Sequence, residues 1–173
     1  CAILSVLLFL SFGIHEAKAS VSNQPINWGF EKSKNHKSAN PGLPMEKLLN
    51  KYDSFFMGDP TQKYIYLTFD NGYENGYTGK VLDVLKKRKV PAAFFVTGHY
   101  LLDQPQLVKR MADEGHIVGN HSWHHPDLTK VSDELFKKEL DSVRLKTEQL
   151  TGYHGINYLR PPRGVFSERV LSL

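Results

Sequence analysis

The chain has 173 residues, of which 40% are hydrophobic, 12% aromatic and 23% charged, and its formal net charge is +4. This composition is typical of a globular protein with one hydrophobic core, and it excludes a disordered chain or a repetitive fibre. Solubility explains the small positive charge as well as attraction to an anionic surface does. We expect no nucleic-acid binding, because the basic run at Lys86–Lys89 falls where a helix should end.

The first nineteen residues differ from the rest of the chain. The run "CAILSVLLFLSFGI" is apolar and uncharged but too short for a comfortable membrane span, and Ala17-Lys18-Ala19 fits the pattern that signal peptidase cleaves. We therefore interpret residues 1–19 as a signal peptide, with an uncleaved anchor as the alternative. We expect an exported protein with no stable membrane span after cleavage. Cys1 is the only cysteine, so the mature chain would depend on its core and not on disulfides.

Residues 20–60 are interpreted as an N-terminal arm followed by a short helix. The arm is polar except for Trp28 and Phe30, and we expect this aromatic pair to pack onto the body of the protein. The stretch "PMEKLLNKYDSFF" predicts a helix, with Pro44 in the first turn, where proline is tolerated.

From residue 61 to residue 173 the sequence indicates one partial domain in which strands and helices alternate. Helical spacing of apolar residues predicts helices at 76–90, 104–115 and 132–152, and a last helix begins in "SERVLSL". Apolar, β-branched and aromatic runs predict strands at 64–69, 92–98, 116–122 and 156–162. Because these strands are apolar on both faces, the pattern predicts an α/β fold with a parallel sheet covered by helices.

Polar residues follow the predicted strands at the points where the strands end. Asp70 and Asn71 end the first strand, His121 ends the third, and Arg160 ends the fourth. The chemistry of parallel sheets gathers at the carboxyl ends of the strands. We therefore expect these four side chains to meet at one rim.

Two histidines in "NHSWHHPDL" are candidates for metal ligands. His121 and His125 are four residues apart, and His124 adds a third imidazole. Such a pair can chelate one metal ion if the backbone turns as in a helix, whereas the alternative is a polar loop without metal. A carboxylate beside two imidazoles would form a metal site with open positions, the kind that activates water.

Asp70 and the segment "RPPRG" supply the other candidate groups. Asp70 can accept a proton from water as a general base, or it can serve as a turn or cap residue, since "DNG" also favours turns. Two prolines stiffen the segment that holds Arg160, which could then pair with Asp70. A backbone amide of this turn could donate to an oxyanion. The alternative is a structural loop with a surface arginine.

The motifs "TFDNG", "HSWHH" and "RPPRG" occur in this order at the ends of successive strands, and they resemble the first three motifs of the polysaccharide deacetylases. This group is also known as the NodB-homology family or carbohydrate esterase family 4. The resemblance covers roughly Tyr64 to Gly164. It implies a distorted (β/α)7 barrel, of which only about the first half to two-thirds would be present. It also implies metal-assisted hydrolysis of N-acetyl groups on amino sugars.

The resemblance further implies roles for individual residues. Asp70 would be the general base, and Arg160 would orient it. His121 and His125 would bind a divalent metal such as zinc, with His124 a bystander, and the backbone amide of Arg163 would help to bind the oxyanion.

Two positions depart from the usual family pattern. Most members have a second aspartate as the third metal ligand where this chain has Asn71, a neutral and weaker ligand. We therefore expect either a lower metal affinity or a site that does not require metal. Arg163 replaces an aromatic residue that is usual in the third motif.

The segment "TFDNGYENGYT…KVLDVLKK" and the arm "PINWGF" are similar to the sequences of the sporulation-associated N-acetylmuramic acid deacetylases of bacilli. That group prepares muramic δ-lactam in the spore cortex. We expect a monomer whose partner is the glycan strand of peptidoglycan, in the cell wall or spore cortex region. Since muramic acid carries a lactyl carboxylate that glucosamine lacks, Arg163 is a candidate for binding that carboxylate. A deacetylase directed at chitin or N-acetylglucosamine is the alternative within the enzyme class.

The family's later motifs, an Asp-Trp pair and a Leu-x-His strand, are not found in this sequence. They would supply the partner of the arginine and the general acid. This predicts a fragment of a longer gene product, with open sheet edges and reduced stability. A catalytically inactive fragment is therefore the alternative to an active enzyme.

Overall fold

The computed structural model describes residues 21–29, 32–33, 35, 37–154 and 156–173. The predicted signal peptide at residues 1–19 and the predicted packing of Phe30 lie outside these ranges. The described residues form a three-stranded parallel sheet that helices flank, and a separate two-stranded antiparallel ribbon. The structure therefore has the α/β architecture that the alternating pattern predicts.

The strands are short, and the helices between them are of moderate length. The strands are β1 (Ile26–Asn27), β2 (Thr68–Asn71), β3 (Ala93–Val96), β4 (Ile117–Asn120) and β5 (Val165–Phe166). The helices are α1 (Leu43–Lys51), α2 (Thr78–Arg88), α3 (Gly98–Asp103), α4 (Pro105–Asp113), α5 (Asp133–Thr151) and α6 (Glu168–Ser172). Two 3₁₀ turns lie at Leu128–Lys130 and Pro162–Gly164.

The parallel sheet has the order β2-β3-β4, and its first strand is shorter than predicted. The prediction of a strand from residue 64 is wrong, because pairing with β3 begins only where Thr68 faces Ala93. Before Thr68 only the Leu67 carbonyl reaches β3 in the described part of the chain, where it accepts from the Ala93 N–H at 3.0 Å. The apolar side chains of the segment before Thr68 are accordingly exposed, Ile65 to 88%.

The predicted fourth strand is reduced to one parallel bridge between Asn120 and Leu159. The Asn120 N–H donates to the Tyr158 carbonyl at 2.8 Å, and the Arg160 N–H donates to the Asn120 carbonyl at 3.0 Å. The predicted strand at 156–162 is therefore too long, although its direction is right. Two prolines follow Arg160 and lack the N–H groups that a ladder needs. The bridge nevertheless fixes the backbone of Arg160 at the end of β4.

The predicted long helix agrees with α5, because both of its ends carry strong signals. The Ser132 hydroxyl accepts from the Leu135 N–H at the start, and Gly152 ends the helix in a left-handed conformation. Helix α3 was not predicted. It has only six residues and follows β3 directly, where the Thr97 side chain accepts from the Tyr100 N–H.

Two apolar clusters hold the elements together. The larger one lies between the sheet and helices α2 to α5, and its fully buried members include Leu82, Val96, Val108, Val118 and Val143. The smaller one joins the N-terminal arm to the end of the chain: β1 pairs with β5, and Trp28 packs against Phe56 and Phe166 at ring-centroid distances of 5.7 and 6.4 Å. None of the helices in the described ranges is long and apolar enough to cross a membrane.

Candidate active site

Asp70 and Arg160 form an ion pair at the carboxyl end of the parallel sheet. Arg160 Nη1 donates to Asp70 Oδ1 at 2.7 Å, and Arg160 Nη2 donates to Thr68 Oγ1 at 3.0 Å. The Arg160 guanidinium carbon lies 4.2 Å from the centroid of the Phe95 ring. The two charged side chains remain 35% and 46% exposed, so the carboxylate is oriented by the arginine and still open to solvent.

The ring that supports Arg160 depends on a glycine in the next strand. A Cβ atom on Gly119 would lie 2.6 Å from the Phe95 ring, which is closer than real Cβ contacts come. Gly119 faces Phe95 across the β3–β4 pair. The absence of a side chain at residue 119 therefore leaves room for the ring beneath the arginine.

His121 and His125 are close neighbours, with ring centroids 4.8 Å apart and planes at 68°. His121 Nδ1 lies 2.8 Å from the carbonyl oxygen of Arg160. A carbonyl oxygen can only accept, so Nδ1 must carry the proton and Nε2 is the nitrogen left to bind a metal. One contact thus links the histidine pair to the segment that holds Arg160.

The backbone between His121 and His125 does not form a helical turn. The sequence analysis had made such a turn the condition for both histidines to bind one metal ion. Ser122 and His125 both have left-handed conformations, with φ of 62° and 56°. The Ser122 N–H donates to Asn120 Oδ1 at 2.9 Å, and the His125 N–H donates to Ser122 Oγ at 3.0 Å. Side-chain hydrogen bonds therefore replace the helical ones and bring the two rings together.

His124 is held apart from this pair by a buried carboxylate on α5. Its N–H donates to Glu139 Oε2 at 2.7 Å, and its Nδ1 lies 2.6 Å from Glu139 Oε1. Glu139 is 3% exposed, whereas the His124 side chain is 71% exposed. The sequence analysis missed Glu139, although an acid beside Phe136 and Val143 on the buried stripe of a helix was a signal that could have identified it.

Asn71 ends β2 on the same edge of the sheet, and it is 8% exposed. Its Nδ2 lies 3.5 Å from Thr78 Oγ1, and its buried Oδ1 has no hydrogen-bond partner. Among the residues that the structure describes, no three His, Cys, Asp or Glu side chains are grouped so as to hold a metal ion. Two imidazoles and a free amide oxygen are nevertheless donors that a divalent cation accepts, so the residues fit a site of low charge.

The charges around His125 favour its neutral form. Burial lowers the pKa of His125, and the nearby His121 and Arg163 lower it further, while Asp70 opposes them. A neutral imidazole is the form that binds metal. Arg163 itself is exposed, has φ of 62°, and makes no salt bridge with a carboxylate in the described part of the chain. Its guanidinium is therefore available to an external anion.

The structure thus brings Asp70 and Arg160 together, and it brings His121 and His125 together with Arg163 nearby. Besides Glu139, the sequence analysis missed the two residues that hold the arginine, Thr68 and Phe95. Both lie inside predicted strands, where a threonine or an aromatic residue is common and does not by itself indicate a contact with Arg160.

Comparison with known proteins places the chain in a family. The sequence profile described as polysaccharide deacetylase matches residues 57–173. The chain is 57% identical over 171 residues, 99% of its length, to the peptidoglycan-N-acetylmuramic acid deacetylase PdaA of Bacillus subtilis, and it spans 65% of that protein.

Two solved structures are similar throughout most of the described fold. The structure of Bacillus subtilis PdaA, a family 4 carbohydrate esterase, has a TM-score of 0.86 at 60% identity, covering 88% of this chain and 65% of that one. A family 4 carbohydrate esterase from Bacillus anthracis has a TM-score of 0.80 at 55% identity, covering 88% and 69%. The chain belongs to the polysaccharide deacetylase family, carbohydrate esterase family 4. The described α/β fold is consistent with a partial barrel of the NodB type.

Proposed function

We propose that this protein is a hydrolase that removes the N-acetyl group from N-acetylmuramic acid in peptidoglycan. One observation carries the proposal: the chain is 57% identical over nearly its whole length to a B. subtilis deacetylase of that name. The Asp70–Arg160 and His121–His125 pairs, which the contact of His121 with the Arg160 carbonyl links, agree with it. The chain spans about two thirds of that relative's length, so the activity of the whole protein is a proposal.

In this proposal Asp70 is the general base. Its carboxylate takes a proton from a water molecule as the water oxygen attacks the acetamide carbonyl carbon. The C–N bond of the resulting tetrahedral intermediate then breaks, acetate is released, and the sugar nitrogen leaves as an amine after taking up the proton that Asp70 removed from water. Arg160 orients the Asp70 carboxylate by a charge-assisted hydrogen bond of 2.7 Å. The backbone amide of Arg163 is proposed to donate to the oxyanion.

His121 Nε2, His125 and Asn71 Oδ1 are the proposed ligands of a divalent metal such as zinc. When bound, such an ion polarises a carbonyl oxygen and lowers the pKa of water. The protein residues contribute three features: a tautomer of His121 fixed by the Arg160 carbonyl, a neutral His125, and a buried amide oxygen without another partner. The Asn71 amide brings no negative charge. We therefore expect the metal to bind more weakly than it would to two histidines and an aspartate.

Arg163 is proposed to select muramic acid by pairing with its lactyl carboxylate. Its guanidinium lies close enough to His125 to influence that ring electrostatically, and its planar fork matches a carboxylate. We expect Arg163→Ala to reduce deacetylation of muramoyl glycans about 10²-fold or more, by loss of a charge-assisted pair, and glucosaminyl glycans far less. Arg163→Lys, which keeps the charge without the fork, should be intermediate.

The experiment is to treat glycan strands that contain both sugars with the chain and its Arg163 variants. Mass spectrometry of the released sugars then shows which residues have lost an acetyl group. Equal losses on both sugars in Arg163→Ala would disprove the selectivity. Deacetylation of glucosamine alone by the unaltered protein would replace muramic acid with the alternative substrate.

We also propose that the protein acts outside the cytoplasm, where peptidoglycan lies, and that residues 1–19 are removed as a signal peptide. Preparation of muramic δ-lactam in the spore cortex is the proposed biological role. Support comes from the name of the B. subtilis relative and from the apolar leader in the sequence. N-terminal sequencing of the exported protein would test cleavage after Ala19.

A further inference from the structure

A polar cluster lies directly behind the end of β2, between this strand and helices α2 and α3. It consists of Asn71, Glu74, Thr78 and Tyr100. Tyr100 is completely buried, and its hydroxyl donates to Glu74 Oε2 at 2.8 Å. The Thr78 N–H donates to Glu74 Oε1 at 3.1 Å, and Asn71 Nδ2 lies 3.5 Å from Thr78 Oγ1.

The carboxylate of Glu74 sets the direction of the whole chain of hydrogen bonds. Burial alone would raise the pKa of Glu74, but hydrogen bonds from the hydroxyl and amide of Thr78 and from Tyr100 outweigh burial and lower it to about 2. An ionised carboxylate can only accept hydrogen bonds. The Thr78 side chain lies beside this carboxylate and its N–H donates to Glu74 Oε1, while its Oγ1 accepts from Asn71 Nδ2 at 3.5 Å. The Asn71 amide must then turn its nitrogen towards Thr78.

We propose that Glu74 is a positioning residue: through Thr78 it fixes the amide of Asn71 with nitrogen inwards, so that the unpartnered Oδ1 is presented to a cation. This inference rests on the proposed role of Asn71 as a metal ligand and deepens it. It also gives a physical reason for an amide at this position, because the negative charge that an aspartate would supply is already present three residues later.

An aspartate at residue 71 would not fit the same cluster. It has no N–H to donate to Thr78 Oγ1, so the hydrogen bond that the Asn71 amide makes there would be lost. A second carboxylate would also add a like charge near Glu74 in a half-buried setting. Exchange of Glu74 for glutamine should remove the conflict, because glutamine is neutral and can itself donate.

The first test is zinc binding by the full chain, measured by titration calorimetry without substrate. Replacing groups that orient a metal ligand typically weakens binding by about 10–100-fold. We expect at least a tenfold loss in Glu74→Gln and Thr78→Val, because each breaks the directed chain. Thr78→Ser, which keeps the hydroxyl, should lose less than about threefold. Equal zinc affinity in Thr78→Val and Thr78→Ser would overturn the proposal.

The second test does not depend on metal. We expect Asn71→Asp to lower the thermal midpoint by about 5 °C, and the same substitution in a Glu74→Gln background to lower it by less than half as much. Equal shifts in both backgrounds would overturn the inference, whatever the zinc titration shows. If the unaltered chain binds no zinc but the two positions are coupled, the proposed metal ligation fails while the orientation of Asn71 by Glu74 stands.

Discussion

The Glu74 carboxylate should make the stability of this protein depend on pH in the acid range. Its pKa is lowered from 4.5 to about 2, because hydrogen bonds from Thr78 and Tyr100 outweigh burial. A lowered pKa in the folded state means that the carboxylate stabilises the fold fully above pH 4.5. This contribution is lost as the pH falls from 4.5 towards 2. We predict that Glu74→Gln removes the pH-dependent contribution.

The magnitude follows from the pKa difference and the exposure of the group. A shift from 4.5 to about 2 corresponds to roughly 3 kcal/mol at 1.36 kcal/mol per pKa unit. Glu74 is only half-buried, so solvent screening reduces the expected contribution to about 1–2 kcal/mol. For a chain of this length, that is a difference of about 2–8 °C in the thermal midpoint at pH 7.

The assay is thermal unfolding of the unaltered chain and Glu74→Gln, followed by circular dichroism at several pH values between 7 and 3. Glu46→Gln is the matched control, since Glu46 lies in the first turn of α1 and makes no side-chain hydrogen bond in the described ranges. The difference between the unaltered chain and Glu74→Gln should shrink as the pH falls below 4.5. A difference that stays constant from pH 7 to pH 3 would refute the reasoning.

Three further predictions concern the supports of the site. Glu139→Ala removes the charged acceptor of the His124 N–H and should lower stability by about 1–3 kcal/mol in urea unfolding, whereas an unchanged midpoint would show that Glu139 does not hold the loop. Gly119→Ala should displace the Phe95 ring that supports Arg160 and lower the free energy of unfolding by about 1–3 kcal/mol. A crystal structure of the variant should show the ring in a new position, and an unmoved ring would contradict the close contact. Trp28→Ala should lower the free energy of unfolding by about 2 kcal/mol and release the arm to protease, while unchanged cleavage would mean that other contacts hold it.

The sequence predicted the rim of the sheet better than it predicted the strands themselves. Asp70 and Arg160 are ninety residues apart, yet the rule that polar side chains gather at the carboxyl ends of parallel strands was enough to bring them together. The strand boundaries failed because they depend on neighbours. The run before Thr68 has the composition of a strand, but no neighbouring strand pairs with it in the described ranges. The run around Leu159 forms one bridge and then meets two prolines.

Inside the proposed site, the sequence indicated the candidate functional residues but not the residues that hold them in place. The histidine spacing suggested a helical turn, whereas left-handed residues and side-chain hydrogen bonds from Asn120 and Ser122 form the actual loop. Glu74 and Glu139 were missed for the same reason. Their partners Tyr100 and His124 are distant in the chain, so local spacing does not predict these contacts, although the place of Glu139 on the buried stripe of α5 marks it as unusual.

The central claim is that Asp70 is the base of a peptidoglycan deacetylase, and release of acetate from muramic-acid-containing glycan tests it most directly. The 173-residue chain, Asp70→Asn and the control Asp53→Asn would be assayed with added zinc and with a chelator. We predict release by the unaltered chain and by Asp53→Asn, and its loss in Asp70→Asn. Full release by Asp70→Asn, or none by a folded unaltered chain, would contradict the account.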